Sequence, residues 1–197
     1  MQNSYRVSVA TGTLAAALAA GAQVFQFKWT DASKLAVINR IRTYFQPLTP
    51  FTAATLTDHT SFDAFVARAH AGGGGGTALT LTGNNAKMRT NMNTSLAAIN
   101  ISTTAALTPA TTLDSQPFCQ SIRKGNRVNP ASATEETIQP VGADIDFYAD
   151  GFLDTPLVLA QNEGFVIRNR TVWPAAGTGV LIVEVHWSEV SEYPIAS

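Results

Sequence analysis

Strict two-residue alternation of apolar and polar side chains, in short bursts, constrains this chain more than any other feature. Phe25, Phe27 and Trp29 fall on one side, with Gln26 and Lys28 on the other. Leu79 and Leu81 alternate with Thr80 and Thr82, and Ile145 and Phe147 with Asp144 and Asp146. Near the end, Leu181, Val183, Val185 and Trp187 share a side opposite Glu184 and His186. A period of two belongs to a strand with one buried face, and each burst has the length of an ordinary strand.

The residues between the bursts are turn formers: 72–76 (five glycines), Gly83-Asn84-Asn85, Gly125-Asn126, Asn129-Pro130 and Gly177-Thr178-Gly179. Gly and Asn tolerate positive φ, and Pro initiates turns, so the chain reverses often. Residues 156–169 (PLVLAQNEGFVIRN) read as a hairpin, with strands 157–160 and 165–168 joined by Gln-Asn-Glu-Gly. Two segments carry both periods. In 62–68 the residues Phe62, Phe65 and Val66 fit a helix, yet the aromatic content and the following glycines favour a strand; 33–45 suits either. Many short strands separated by Gly, Asn and Pro predict an all-β fold, an antiparallel β-sandwich with jelly-roll-like winding.

Composition supports this class. Of 197 residues 45% are apolar, enough for one core without disulfide or metal. Charged residues are 14%, against about 25% in ordinary soluble domains. Roughly two dozen threonines take part of their place, and this β-branched residue suits half-exposed strands. A net charge of −1 argues against a cationic nucleic-acid binder, so no specific nucleic-acid partner is expected. The charges are uneven along the chain: eleven basic and four acidic residues up to Arg127, two and ten thereafter. Segregated surfaces would let copies meet basic patch to acidic patch, whereas interleaved strands would mix the signs.

Residues 14–22 (LAAALAAGA) read as an Ala-rich arm or short helix, since Ser8, Thr11, Gly12 and Thr13 interrupt any secretory-signal pattern. The expected division is therefore an arm over 1–22 and a sandwich over 23–197. No apolar run approaches the roughly 20 residues that span a bilayer, so no membrane partner is expected. Cys119 is single, which excludes an intrachain disulfide and suits assembly in a reducing cytoplasm.

Tests for chemistry return nothing that forms a site. His59, His70 and His186 are scattered, and Cys119 has no neighbouring ligand at zinc spacing. With Asp146 at the first position of a calcium loop, Asp150 and Gly151 fall correctly. Tyr148 and Leu157 then stand where oxygen ligands are required, so the loop fails, and Asp144, Asp146, Asp150 and Asp154 read as solvent-facing carboxylates. The glycines at 72–76 precede Thr77 without the Gly-Lys-Ser/Thr ending of a phosphate loop. Arg123, Lys124 and Arg127 form a basic loop suited to a phosphate or carboxylate, too small for nucleic acid. No nucleophile or acid/base pair stands out. The expectation is a protein that is not an enzyme, with no catalytic, cofactor-binding or metal residues and no cofactor.

Two stretches carry a resemblance: 77–116, containing TALTLTGNNAKMRTNMNTSLAAINISTTAALT, and 156–190, containing PLVLAQNEGFVIRN and VEVHWSEV. Sharpest at 81–89 and 157–168, they resemble a family of structural virion proteins of tailed bacteriophages and cover somewhat under half the chain. The resemblance implies a virion component with a β-sandwich body and transfers no catalytic residue; 117–143 lies outside it. The leading expectation is a capsid decoration or cement (minor capsid) subunit, assembled in the host bacterial cytoplasm. It would self-associate as a homo-oligomer such as a trimer and dock on the major capsid protein or other virion proteins. The alternative is a tail, neck or fibre component recognising host glycan, for which Trp173 beside Pro174 is the qualifying loop tryptophan.

Overall fold

A computed structural model describes residues 3–49, 51–52, 59–70, 75–81, 86–104, 107, 112–124, 127–128, 135–136, 145–149 and 156–192. Of these, 51–52, 59–60, 121–124, 127–128, 135–136 and 145–149 are described as backbone alone. The described residues form strands and no helix. In chain order they are β1 (Asn3–Leu14), β2 (Gln23–Trp29), β3 (Leu35–Thr49), β4 (Phe51–Thr52), β5 (His59–Ala69), β6 (Thr77–Leu79), β7 (Ala97–Ile101) and β8 (Thr112–Leu113). They continue as β9 (Cys119–Lys124), β10 (Arg127–Val128), β11 (Glu135–Glu136), β12 (Ile145–Ala149), β13 (Leu157–Leu159), β14 (Gly164–Asn169) and β15 (Thr178–Val190).

Two antiparallel sheets face each other as a β-sandwich. The first runs β1-β15-β3-β12, with β13 also paired to β3. The second runs β6-β7-β2-β14-β5-β8, with β9 also on β5. A small β11-β10-β4 sheet stands apart, its β10–β4 pair parallel. Both segments of mixed period are strands, 62–68 within β5 and 35–45 within β3. Propensity there yields to burial: Phe62, Ala64, Phe65 and Val66 are all buried by neighbouring strands.

The alternation in β15 is the clearest link from sequence to packing. Leu181, Val183, Val185 and Trp187 are at most 1% exposed, while Ile182, Glu184 and His186 between them are half-buried. Across the sandwich Phe25, Phe27, Trp29, Phe165 and Ile167 are fully buried. A column of rings joins the sheets: Tyr5 stacks on Trp187 at 5.5 Å, Phe27 meets Trp187 edge-on at 5.4 Å, and Phe165 stacks on Phe27 at 5.3 Å. Phe45, Phe62 and Trp173 form a second cluster, with Phe45–Trp173 centroids at 5.5 Å.

Three expectations are corrected. Within the expected arm 1–22, the described residues 3–22 are not an arm or short helix: 3–14 form β1, whose alternating Tyr5, Val7 and Val9 pair with Trp187, Val185 and Val183. The Ala-rich run after it is a turn anchored by buried Leu14, Leu18 and Ala22, with Ala17 at φ 55°. Residues 156–169 are not a hairpin either. β13 joins the first sheet through β3 and β14 the second, between β2 and β5. The turn is as expected, with Asn162 at φ 63° and Glu163 N–H donating to the Ala160 carbonyl at 2.9 Å, but it crosses between sheets. Local turn chemistry is the same in both cases; apolar residues on both faces of β14 select a central place in the other sheet. Finally, Gln26 turns away from Phe25 and Phe27 but not toward solvent: it is 1% exposed, and its amide donates to Gln23 at 2.6 Å.

Among the described residues, the order of strands mixes the two halves of the chain. β15, from the acidic half, lies between β1 and β3 from the basic half, and β14 lies between β2 and β5. Ion pairs join the halves: Arg6–Glu184 at 2.7 Å, Arg68–Glu163 at 3.8 Å, and Arg170 on Asp63 through a two-pronged contact. These described charges, distant in sequence, are neighbours in space.

Candidate functional site

The outer face of the first sheet is partly open: Arg6, Ser8 and Ala10 are exposed, and Arg40, Arg42, Tyr44, Ile182, Glu184 and His186 are half-buried. Antiparallel register places facing residues side by side, so β1, β15 and β3 form cross-strand rows. These rows are Arg6–His186–Arg40, Ser8–Glu184–Arg42 and Ala10–Ile182–Tyr44. β12 sets Asp146 in register with Arg42 and Ala149 with Arg40. Within the grid, Glu184 accepts from Arg6 at 2.7 Å and pairs with His186 Nε2 at 2.9 Å. Burial pushes the Glu184 carboxyl up, but the bonds from Arg6 and His186 outweigh it and hold the group below the usual carboxylate range. A shallow hollow of about 200 Å³, lined by Ser8, Arg42, Thr43, Tyr44, Ile182 and Glu184, opens on this face.

The arrangement is one of paired charges on a sheet face. A Glu184–His186 pair is the orienting half of a hydrolytic triad, yet no hydroxyl donates to His186 among the described residues. Arginine and tyrosine on rigid strands are the side chains that anchor protein contacts. The ladder fixes their spacing, and Arg40 and Arg42 are each held by further interactions.

The other residues singled out by sequence do not converge. His70 is fully buried, His186 lies on the outer face, and the His59 side chain is outside the described residues. No group of three or more His, Cys, Asp or Glu is placed to hold a metal among the described residues. Asp144, Asp150 and Asp154 lie outside the described residues, as do Gly83, Asn84 and Asn85 and the first three glycines of 72–76. Cys119 sits in β9 beside Ala64, and burial pushes its thiol up to about 12, which keeps it protonated and unreactive at neutral pH. Arg123, Lys124 and Arg127 lie on β9 and β10. Trp173 is 2% exposed, packed between Phe45 and Phe62, and offers no platform to a sugar.

Sequence reasoning missed the three rows. Arg6, Arg40, Arg42 and His186 are far apart in the chain, and only the β1-β15-β3 order brings them together; the alternation in β15 did indicate that Glu184 and His186 share a face. No helix among the described residues is long and apolar enough to cross a membrane. No family model and no curated protein matches this chain.

Proposed function

We propose that this chain is a structural subunit of a tailed-bacteriophage particle, a capsid decoration protein that docks on the head lattice and transforms no substrate. The observation that carries the reading is the outer face of the first sheet: a partly exposed grid in which three arginines and His186 alternate with Glu184 and Asp146 positions. Charges compensated within one surface cost less to cover than isolated ones, and low overall charge keeps the remaining surface easy to desolvate. The resemblance at 81–89 and 157–168 supplies the particle. A homo-oligomer such as a trimer, partnership with the major capsid protein and jelly-roll winding belong to the same proposal.

A subunit that binds only the assembled lattice stabilises it by mass action, by about 2.7 kcal/mol per site at one hundred times its Kd. The test adds purified chain to heads assembled without it, counts bound copies and measures heat release of the genome. The expected result is saturable binding over the head and release at higher temperature. Antibody signal at one vertex or along the tail selects the tail, neck or fibre role. The absence of any binding to virion components rejects both.

A further inference from the structure

We propose that residues 89–96 are a strap over one end of the sandwich that opens locally, and that the buried Glu189 carboxylate beneath it drives the opening. The inference is independent of the virion role. The strap leaves the β1 edge after Met88, whose N–H donates to the Ser4 carbonyl at 3.3 Å, and ends where β7 begins at Ala97. Between those points no residue joins a ladder, and Arg89, Thr90, Asn91, Asn93, Thr94 and Leu96 are exposed. Few bonds hold it down among the described residues. The Tyr5 hydroxyl donates to the Asn93 carbonyl at 2.9 Å and the Thr30 hydroxyl to the Leu96 carbonyl at 2.5 Å. Leu96 N–H reaches Glu189 Oε1 at 3.3 Å, longer than the usual range of about 2.7–3.2 Å.

Glu189 is at odds with its surroundings. It follows Trp187 by two residues in β15, in register with Asn3 of β1, and is 3% exposed. Oε1 has the Leu96 N–H, but Oε2 has no donor, and no Lys, Arg or His pairs with the group among the described residues. The Tyr5 hydroxyl beside it gives its one proton to Asn93. Burial first, and then the Glu189 charge, push that hydroxyl up to about 12, so it stays neutral and supplies no counter-charge. Trp187, stacked on Tyr5, also has an Nε1–H without an acceptor.

Buried polar groups without partners cost free energy, and a charged one costs most. The closed strap carries that cost, and lifting it lets water reach the stranded oxygen. The strands beneath are held in place, because β15 pairs with β1 on one side and β3 on the other. What yields is therefore the segment with the fewest bonds, not the sandwich. Lifted, the strap turns the Glu189 carboxylate and the Tyr5 hydroxyl toward solvent, an acidic spot that the closed form hides.

Amide hydrogen exchange of the intact chain, followed by NMR at neutral pH and corrected for sequence, tests both halves of the proposal. The Leu96 amide should exchange at least tenfold faster than the Val185 amide of β15, at a rate that low urea leaves unchanged, the mark of an opening that exposes little surface. In Glu189→Gln the charge is gone, an acceptor for Leu96 remains, and an N–H stands beside the Tyr5 oxygen. Leu96 exchange should then slow at least tenfold. Were the carboxylate a simple anchor, the weaker neutral acceptor would leave Leu96 as fast as before or faster. That result overturns the proposal, as does a wild-type Leu96 amide as slow as Val185, or one whose exchange rises with urea in step with it. A Glu189→Gln chain that is less stable to urea than wild type, or does not fold, shows that the carboxylate stabilises the closed form and overturns it equally.

Discussion

Two tryptophans, both fully buried, differ in one bond, and that difference should be measurable. Trp29 Nε1–H donates to the Lys34 carbonyl at 2.7 Å, whereas Trp187 Nε1–H meets no acceptor among the described residues. Replacing either by Phe removes the same atoms from the core and leaves a void of similar size. At position 29 the change also strands a carbonyl; at position 187 it removes an unpaired donor. Leaving a buried polar group unsatisfied costs about 1–3 kcal/mol, so Trp29→Phe should be more destabilising than Trp187→Phe by about that amount. For a chain of this size that separates the melting points by about 2–12 °C, at 2–4 °C per kcal/mol. Urea denaturation followed by circular dichroism gives the comparison directly, provided the slope m is the same for both variants. An equal loss, or a larger one for Trp187→Phe, would refute the bond assignment and with it the placement of β2 against the 30–34 turn.

Other consequences can be checked with the same assay. A Cβ on Gly164 would lie 2.1 Å from the Phe27 carbonyl oxygen and 3.0 Å from His70, so Gly164→Ala should cost at least the about 1–3 kcal/mol of an overpacked core. Gly21→Ala, with open space around it but φ at 76°, should cost only the about 1–2 kcal/mol of a left-handed alanine. In a double-mutant cycle, Phe27→Leu and Trp187→Leu should show a coupling of about 0.5–1.5 kcal/mol from their edge contact, and additive losses would mean the sheets are misregistered. The depressed Glu184 carboxyl predicts a pH effect of definite sign. Its contribution is complete above the ordinary value of 4.5 and disappears as pH falls through the lower folded value. Wild-type and Arg6→Ala stabilities, about 0.2–1 kcal/mol apart at pH 7, should therefore converge in acid.

Much of the sandwich was legible because its signal is short-range. Alternation reports which side of a strand is buried, and β15 follows it from Thr178 to Trp187, whereas β2 buries Gln26 as well as Phe25 and Phe27. Pairing partners are not short-range. PLVLAQNEGFVIRN has the turn and flanks of a hairpin, yet β13 and β14 enter different sheets, pairing with β3 and with β2 and β5. The same limit hid the outer face: Arg6, Glu184 and Arg42 become neighbours only through a strand order that no local period encodes. The N-terminal residues were misread for a further reason, since a weakly apolar strand such as NSYRVSVATGTL gains its stability from a long partner rather than from its own propensity.

That partner has a cost which bears on function. By taking β15 between β1 and β3, the fold sets Glu184 of the acidic half against Arg6 of the basic half, and charges tied up in this way are less available for attraction between copies. In the proposed role, recognition then falls to a feature that strands supply by themselves, a compensated grid on one face. Docking through the grid involves partly exposed charges and weakens as salt rises, whereas a contact made through apolar groups is left largely intact. Measuring particle binding of this chain across a salt series therefore tests the face: a steep loss places the contact on Arg6, Arg40 and Arg42, and a flat response refutes that placement.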